Sequence, residues 1–180
     1  MSGRSPRPSS ARPPSAGRYE FSESELEGFR KRGVDPETAR AEKDAATGVF
    51  YREMIGHVRT VLADIPRVVP GFDAARGFEL AGFVWFQGFN DMVDGNFYAK
   101  QPKGAAGNRF ALYSDYLTAF IRDVRQDLGA PKLPFVIGVL GVGGKDPGSE
   151  DNLAFREAMA APAERAEFQG NVTAVRTAPF

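Results

Sequence analysis

The sequence predicts an α/β protein built on a parallel sheet, and three observations support that class. Two mostly apolar runs, residues 79–87 and 135–140, are typical of strands that are buried on both faces. Segments with apolar residues at helical spacing precede, separate and follow these runs. The predicted order of helix, strand, helix, strand, helix and strand indicates right-handed crossovers with helices on the faces of the sheet.

The helices before the first strand are predicted from their start signals and their periodicity. Ser22 starts a short helix over residues 22–32 with a capping box. Asp35 precedes a proline and starts a second helix that runs on past Gly48. Residues 47–65 form an amphipathic helix, because apolar side chains recur there every three or four positions.

The elements after the first strand follow the same logic. A helix over residues 109–128 carries an apolar stripe and ends at Gly129. Either Ser149 or Asp151 caps the next helix, and residues 172–177 form a third short strand. Residues 1–18 are rich in Arg, Pro and Ser and contain no acidic residue, so we expect a disordered tail ahead of one partial domain over residues 19–180.

Composition excludes several classes of function. Basic and acidic residues balance at 23 each, so no nucleic-acid or membrane partner is expected. Cysteine is absent, which removes disulfides, a thiol nucleophile and thiolate metal sites. The apolar runs are too short to span a bilayer and no signal peptide is visible, so localisation stays open. Neither a metal site nor a cofactor is predicted, because the acidic residues form no ligand series and the glycine-rich loop before Lys145 departs from a phosphate-binding loop.

The segment that carries chemistry lies where the first predicted strand ends. Gln87, Asn90 and Asp91 form a polar cluster there, and ligands of parallel sheets bind beyond the carboxyl ends of the strands. The amides of Gln87 and Asn90 are able to donate to a developing oxyanion, and Gly88 permits close approach of the backbone. Trp85 and Asp91 are expected to support these groups. The alternative interpretation is an ordinary turn in which Asn and Asp bond the local backbone.

The stretch Trp85-Phe86-Gln87-Gly88-Phe89-Asn90-Asp91 resembles the third sequence block of SGNH hydrolases, Gly-x-Asn-Asp. The wider segment resembles the sialate O-acetylesterase family of carbohydrate esterases, and the similarity extends over residues 45–180. The resemblance implies a flavodoxin-like three-layer sandwich with a parallel sheet, of which this chain forms a part. It also implies hydrolysis of acetyl esters on sugars, with Asn90, Gln87 and Gly88 as candidates for the oxyanion hole.

The family's attacking residues have no match in this chain. No serine stands in a Gly-Gln-Ser-Asn or Gly-Asp-Ser segment, and the Asp-x-x-His segment is absent. Ser149 is interpreted as a helix cap, and His57 as a half-buried packing residue of its helix. We therefore expect a fragment of an acetylesterase that is inactive alone and whose open sheet edge pairs with another copy or another chain.

Two alternatives remain open at this point. The chain is either a non-catalytic sugar-binding domain, in which Trp85, Phe89 and Phe97 stack on a sugar ring, or an interaction domain that pairs through its sheet edge. Binding of a glycan without ester turnover favours the first, and recovery of a partner that carries Gly-Gln-Ser-Asn favours the second.

Overall fold

The computed structural model describes residues 21–95, 97–98, 100–102, 106–146 and 148–178. They form two compact units, of which the first ends at Phe72 and the second begins at Asp73. The predicted tail, residues 1–18, lies outside the described residues. Whether the chain folds as one domain stays a prediction. Within the described residues, no helix combines the length and the apolar character that crossing a bilayer requires.

The first unit contains three helices: α1 (Glu23–Arg32), α2 (Pro36–Ala46) and α3 (Val49–Ala63), followed by a short 3-10 turn over Ile65–Arg67. The capping box at Ser22 and the Asp35 cap are confirmed. The prediction that the second helix continues past Gly48 is wrong. Gly48 has a φ of 71°, a left-handed conformation that ends one helix and lets the next begin in a new direction.

The prediction for His57 is also wrong in its burial. The buried position of α3 is Ile55, whereas His57 is exposed. Two positions along a helix correspond to a rotation of about 200°, which places these side chains on nearly opposite sides. Periodicity alone had assigned His57 to the edge of the apolar face.

The second unit is a three-stranded parallel sheet in the order β1 (Phe83–Trp85), β2 (Phe135–Val139) and β3 (Val172–Arg176). Its helices are α4 (Phe89–Val93), α5 (Ala111–Asp127) and α6 (Glu150–Ala160), with 3-10 turns over Ala161–Glu164 and Ala166–Phe168. The α/β class with a parallel sheet is therefore confirmed. The predicted boundaries of α5, β2, α6 and β3 agree with the structure to within two residues.

Strand β1 differs from its prediction in both length and burial. Only three residues pair, and Phe83 meets Phe135 at the start of β2, directly after Pro134. Val84 is 71% exposed, so β1 is not buried on both faces. The ring of Phe120 contacts Phe83 and Trp85, whose side chains lie on the opposite face of the strand from Val84, so this packing covers one face only.

The core of this unit lies between one face of the sheet and helices α5 and α6. The stripe on α5 includes Leu117, Ile121 and Val124, all of which are buried. They share the interior with Phe135 and Ile137 of β2. This packing fixes α5 beside the carboxyl end of β1, where the site lies.

Candidate functional site

The site begins at the sharp exit of the chain from β1. Gly88 is the N-cap of α4 and has a φ of 147°, a conformation that L side chains rarely adopt. A Cβ atom at this position would lie 2.9 Å from Cζ of Phe155 and 3.0 Å from the hydroxyl of Tyr113. Glycine is therefore required both for the turn and for the close approach of α5 and α6.

A cavity of about 230 Å³ lies beside this turn and is largely aromatic. Two of the predicted site residues that carry polar groups, Gln87 and Asp91, line it together with Trp85. The remaining described lining residues come from the segment after α4 and from α5: Tyr98, Tyr113, Tyr116, Leu117 and Phe120. The structure thus joins the strand-end cluster to one face of α5.

Asp91 is the hub of the hydrogen bonds in the cavity. Its Oδ2 accepts a bond of 2.9 Å from Nε2 of Gln87, and its Oδ1 accepts one of 3.3 Å from the hydroxyl of Tyr98. An amide nitrogen carries two hydrogens, so Gln87 retains a second N–H that it can donate to a ligand. The carboxylate therefore orients the Gln87 amide.

A second bond holds the backbone of the same residue. The hydroxyl of Tyr113 donates to the carbonyl oxygen of Gln87 at 2.9 Å. Burial raises the pKa of Tyr113, the negative charge of Asp91 raises it further, and a contact with the Trp85 side chain acts in the opposite direction. The pKa of Tyr98 is also raised, first by burial and then by Asp91. Both phenols are protonated donors at neutral pH.

The structure does not bring Asn90 into the same network. Asn90 is exposed on the first turn of α4, and its backbone carbonyl accepts the N–H of Asp94. It is not among the described residues that line the cavity. Asn90 is therefore outside the described cavity lining, whereas Gln87 and Asp91 belong to it.

Three tyrosines of the site were missed at the sequence level. Tyr98 lies between the first predicted strand and the helix predicted over residues 109–128, in a stretch without a helix or strand signal, and Tyr113 lies within that predicted helix. Tyr116 lies three positions further along that helix, one turn from Tyr113. One signal was available in the sequence. Tyrosines on the apolar stripe of a helix need hydrogen-bond partners for their hydroxyls, and the polar groups at the end of the first strand offer such partners.

The described serines of this unit have structural roles. The hydroxyl of Ser114 donates to the carbonyl oxygen of Ala158, and Ser149 caps α6 by accepting the N–H of Asn152, as predicted. The described residues contain no group of three His, Cys, Asp or Glu side chains that is able to hold a metal ion.

The glycine-rich loop after β2 is held by one arginine of α6. Arg156, which is buried, donates to the carbonyl oxygens of Val142 and Gly144. These carbonyls are acceptors, which is the opposite of the N–H donors that cradle a phosphate. The loop is therefore fixed by the protein itself.

A parallel sheet joined by helical crossovers, with a polar cluster at the carboxyl end of one strand, defines an α/β domain of the kind that carries enzyme sites. The model of a carbohydrate esterase family, the sialic acid-specific acetylesterases, matches residues 39–178. The chain belongs to this family, which confirms the resemblance found in the sequence and supports acetylesterase-like function at the family level. No curated protein and no solved structure matches the chain.

Proposed function

We propose that this chain provides the acyl-binding part of a carbohydrate O-acetylesterase, with Gln87 as the donor to the oxyanion. The observation that supports the proposal is the pair formed by Gln87 and Asp91 on an aromatic cavity, at the strand end where such a donor is needed. Family membership supplies the substrate class, an acetyl ester on a sugar. Asn90 remains a second candidate donor on the exposed turn of α4.

The chemistry assigned to Gln87 is electrostatic. When a nucleophile attacks the acetyl carbonyl, negative charge develops on its oxygen, and a fixed N–H stabilises that charge without reorganising. One such donor stabilises the transition state by roughly 3–4 kcal/mol. Asp91 and Tyr113 limit the movement of Gln87, so the orientation is established before the substrate binds.

The described residues of the second unit do not supply the nucleophile and the base that the reaction needs. Ser114 is buried and bonded, and Ser149 is used as a helix cap. Residues 73–178 contain no histidine that would activate a serine. We therefore propose that the 180-residue chain binds acetylated sugar without turning it over.

Binding is testable through intrinsic fluorescence, because Trp85 is the chain's only tryptophan and lines the cavity. Glucose pentaacetate is titrated against the purified chain, with glucose as the comparison. We expect a saturable change in Trp85 emission with the acetylated sugar that is weaker in Gln87→Ala and unchanged in Gln126→Ala, a matched change on the exposed side of α5. Equal responses of both variants would contradict the role of Gln87.

Turnover is tested with p-nitrophenyl acetate on the chain and on the longest reading frame that encodes it. We expect no turnover by the chain alone. In the longer product, Gln87→Ala should lower kcat by about 10²–10³. Binding without turnover in both proteins would favour the non-catalytic sugar-binding alternative.

A further inference from the structure

The cavity beside Gln87 is too small to enclose a whole acetylated sugar. Its volume is about 230 Å³, whereas pockets that enclose most of a small-molecule ligand measure roughly 300–1,000 Å³. Gln87 itself is exposed, so the donor that we propose for the acetyl ester lies at the mouth of the cavity. An ester bound there leaves the sugar ring outside, against the side chains that form the rim.

Two aromatic side chains, Phe97 and Tyr116, form an aromatic rim beside this mouth. Tyr116 of α5 lines the cavity and is nevertheless 52% exposed, and Phe97, in the segment after α4, is 55% exposed. Their ring centroids lie 6.2 Å apart and their planes are inclined by 34°. Single exposed aromatic residues are ordinary, but two that adjoin each other and a cavity form a continuous apolar surface that a ligand can cover.

Contacts on the protein side hold the aromatic rim in place. The backbone N–H of Phe97 donates to Oδ1 of Asp94 at 3.0 Å. The ring of Phe97 packs against that of Tyr98, with centroids 4.9 Å apart and planes nearly perpendicular at 79°. Tyr98 is buried and bonded to Asp91, so it gives Phe97 a fixed support. This support uses only part of the Phe97 side chain, and the remainder stays available to a ligand.

A pyranose ring has the chemistry that such a surface binds. One face of the ring presents C–H groups, whereas the hydroxyl or ester groups point outward around its edge. The C–H hydrogens carry a small positive charge and the face of an aromatic ring is negative, so the two attract. Stacking also removes apolar surface of both partners from water. The aromatic rings carry no net charge, so this attraction does not depend on whether the sugar is neutral or anionic.

We propose that Phe97 and Tyr116 form the subsite for the pyranose ring of the acetylated sugar, while the acetyl group enters the cavity beside Gln87. The inference rests on the proposed function for the ester and adds the position of the sugar. Of the rings that the sequence suggested for stacking, it retains Phe97, and it adds Tyr116. The aromatic rim makes the chain selective for esters of cyclic sugars over acyclic acetyl esters.

The test compares a cyclic with an acyclic acetyl ester, both followed by Trp85 emission. Glucose pentaacetate contains the pyranose ring, and glycerol triacetate does not. We expect Phe97→Leu and Tyr116→Leu each to weaken binding of glucose pentaacetate about three- to tenfold, because leucine keeps an apolar side chain but removes the aromatic face. Binding of glycerol triacetate should be unchanged in both variants.

Three control variants separate stacking from general effects of substitution. Phe97→Tyr and Tyr116→Phe each keep an aromatic ring and should retain the parent affinity for glucose pentaacetate. Phe50→Leu makes the same change at a phenylalanine of α3 that is 82% exposed, and should leave both affinities unchanged. The side chains of the aromatic rim are more than half exposed, so their replacement leaves the packed core intact.

An unchanged affinity for glucose pentaacetate in either leucine variant, or an equal loss for glycerol triacetate, would overturn the proposal. Equal losses in the leucine variants and in the variants that keep a ring would also overturn it.

The outcome is separable from that of the proposed function, because Gln87→Ala should weaken binding of both esters. If it does so while the leucine variants behave like the parent, only the ring subsite fails. If the leucine variants weaken glucose pentaacetate alone and Gln87→Ala changes neither ester, the role of Gln87 fails and the ring subsite stands. The absence of saturable binding for either ester would overturn both.

Discussion

Replacement of Gly88 by alanine should destabilise the second unit by about 2–5 kcal/mol. The backbone at Gly88 has a φ of 147°, and forcing an L residue into such a region costs roughly 1–3 kcal/mol. The new Cβ would also lie 2.9 Å from Phe155 and 3.0 Å from the hydroxyl of Tyr113, and overpacking of this kind costs roughly 1–3 kcal/mol. Both contacts are with side chains, so part of the second cost is relieved by their movement.

The free energy of unfolding is measured by urea denaturation, followed by Trp85 emission and circular dichroism. Gly95→Ala is the matched control, because Gly95 does not have a φ that is unfavourable for L residues and a Cβ there has no neighbour within 4 Å. We expect the control to remain within about 0.5 kcal/mol of the parent. A loss below about 1 kcal/mol in Gly88→Ala would refute the argument from backbone strain and close packing.

Three further predictions follow from polar groups of the same unit. Arg125→Lys should cost about 1–3 kcal/mol in urea denaturation, because lysine has no counterpart of the buried Nε that donates to the carbonyl oxygen of Leu133; an unchanged midpoint would contradict this. The bond from Arg122 lowers the pKa of Glu167, so the ion pair stabilises the fold above the ordinary pKa of 4.5, and this stabilisation is lost as pH falls through the lowered pKa. The loss is at most about 1 kcal/mol for so exposed a pair. Glu167→Gln should remove this part of the pH dependence of the free energy of unfolding, and an unchanged pH dependence would refute the assignment. In Asp91→Asn, the pKa of Tyr98 should fall toward its ordinary value without reaching it, because burial remains. The chain contains five tyrosines, so absorbance at 295 nm is compared with that of the same protein carrying Tyr98→Phe; an identical difference curve with and without Asp91→Asn would exclude the charge of Asp91 as a cause.

The order of elements in the second unit was predictable because each carries a strong local signal. The stripe on α5, the glycine that ends it and the apolar run of β2 are all visible in one sequence. The extent of β1 was not predictable. The mostly apolar run over residues 79–87 favours a long strand, but pairing begins only where β2 begins, and that register is a tertiary property.

The site was predictable in its location and only partly in its contents. Gln87, Gly88 and Asp91 were predicted as site residues because a mostly apolar strand that ends in polar residues places them at the edge where parallel sheets bind ligands. The contributions of Tyr98 and Tyr113 were not identified, because they depend on distances across the fold. Tyr113 is 26 positions from the carbonyl it contacts, so no local pattern connects the two.

The arrangement around Gln87 explains why a site of this kind is built on two elements. Its backbone carbonyl accepts a bond from Tyr113 of α5, and its side-chain amide donates to Asp91 of α4, so contacts with two helices restrain the residue beside the cavity. A donor held in this way loses little further conformational entropy when it bonds a ligand, because most of that entropy is already lost when the chain folds. The packing of α5 on the sheet therefore determines the direction of the one remaining N–H. A change in the core that moves α5 would therefore also move Tyr113 and the Gln87 amide that it holds beside the cavity.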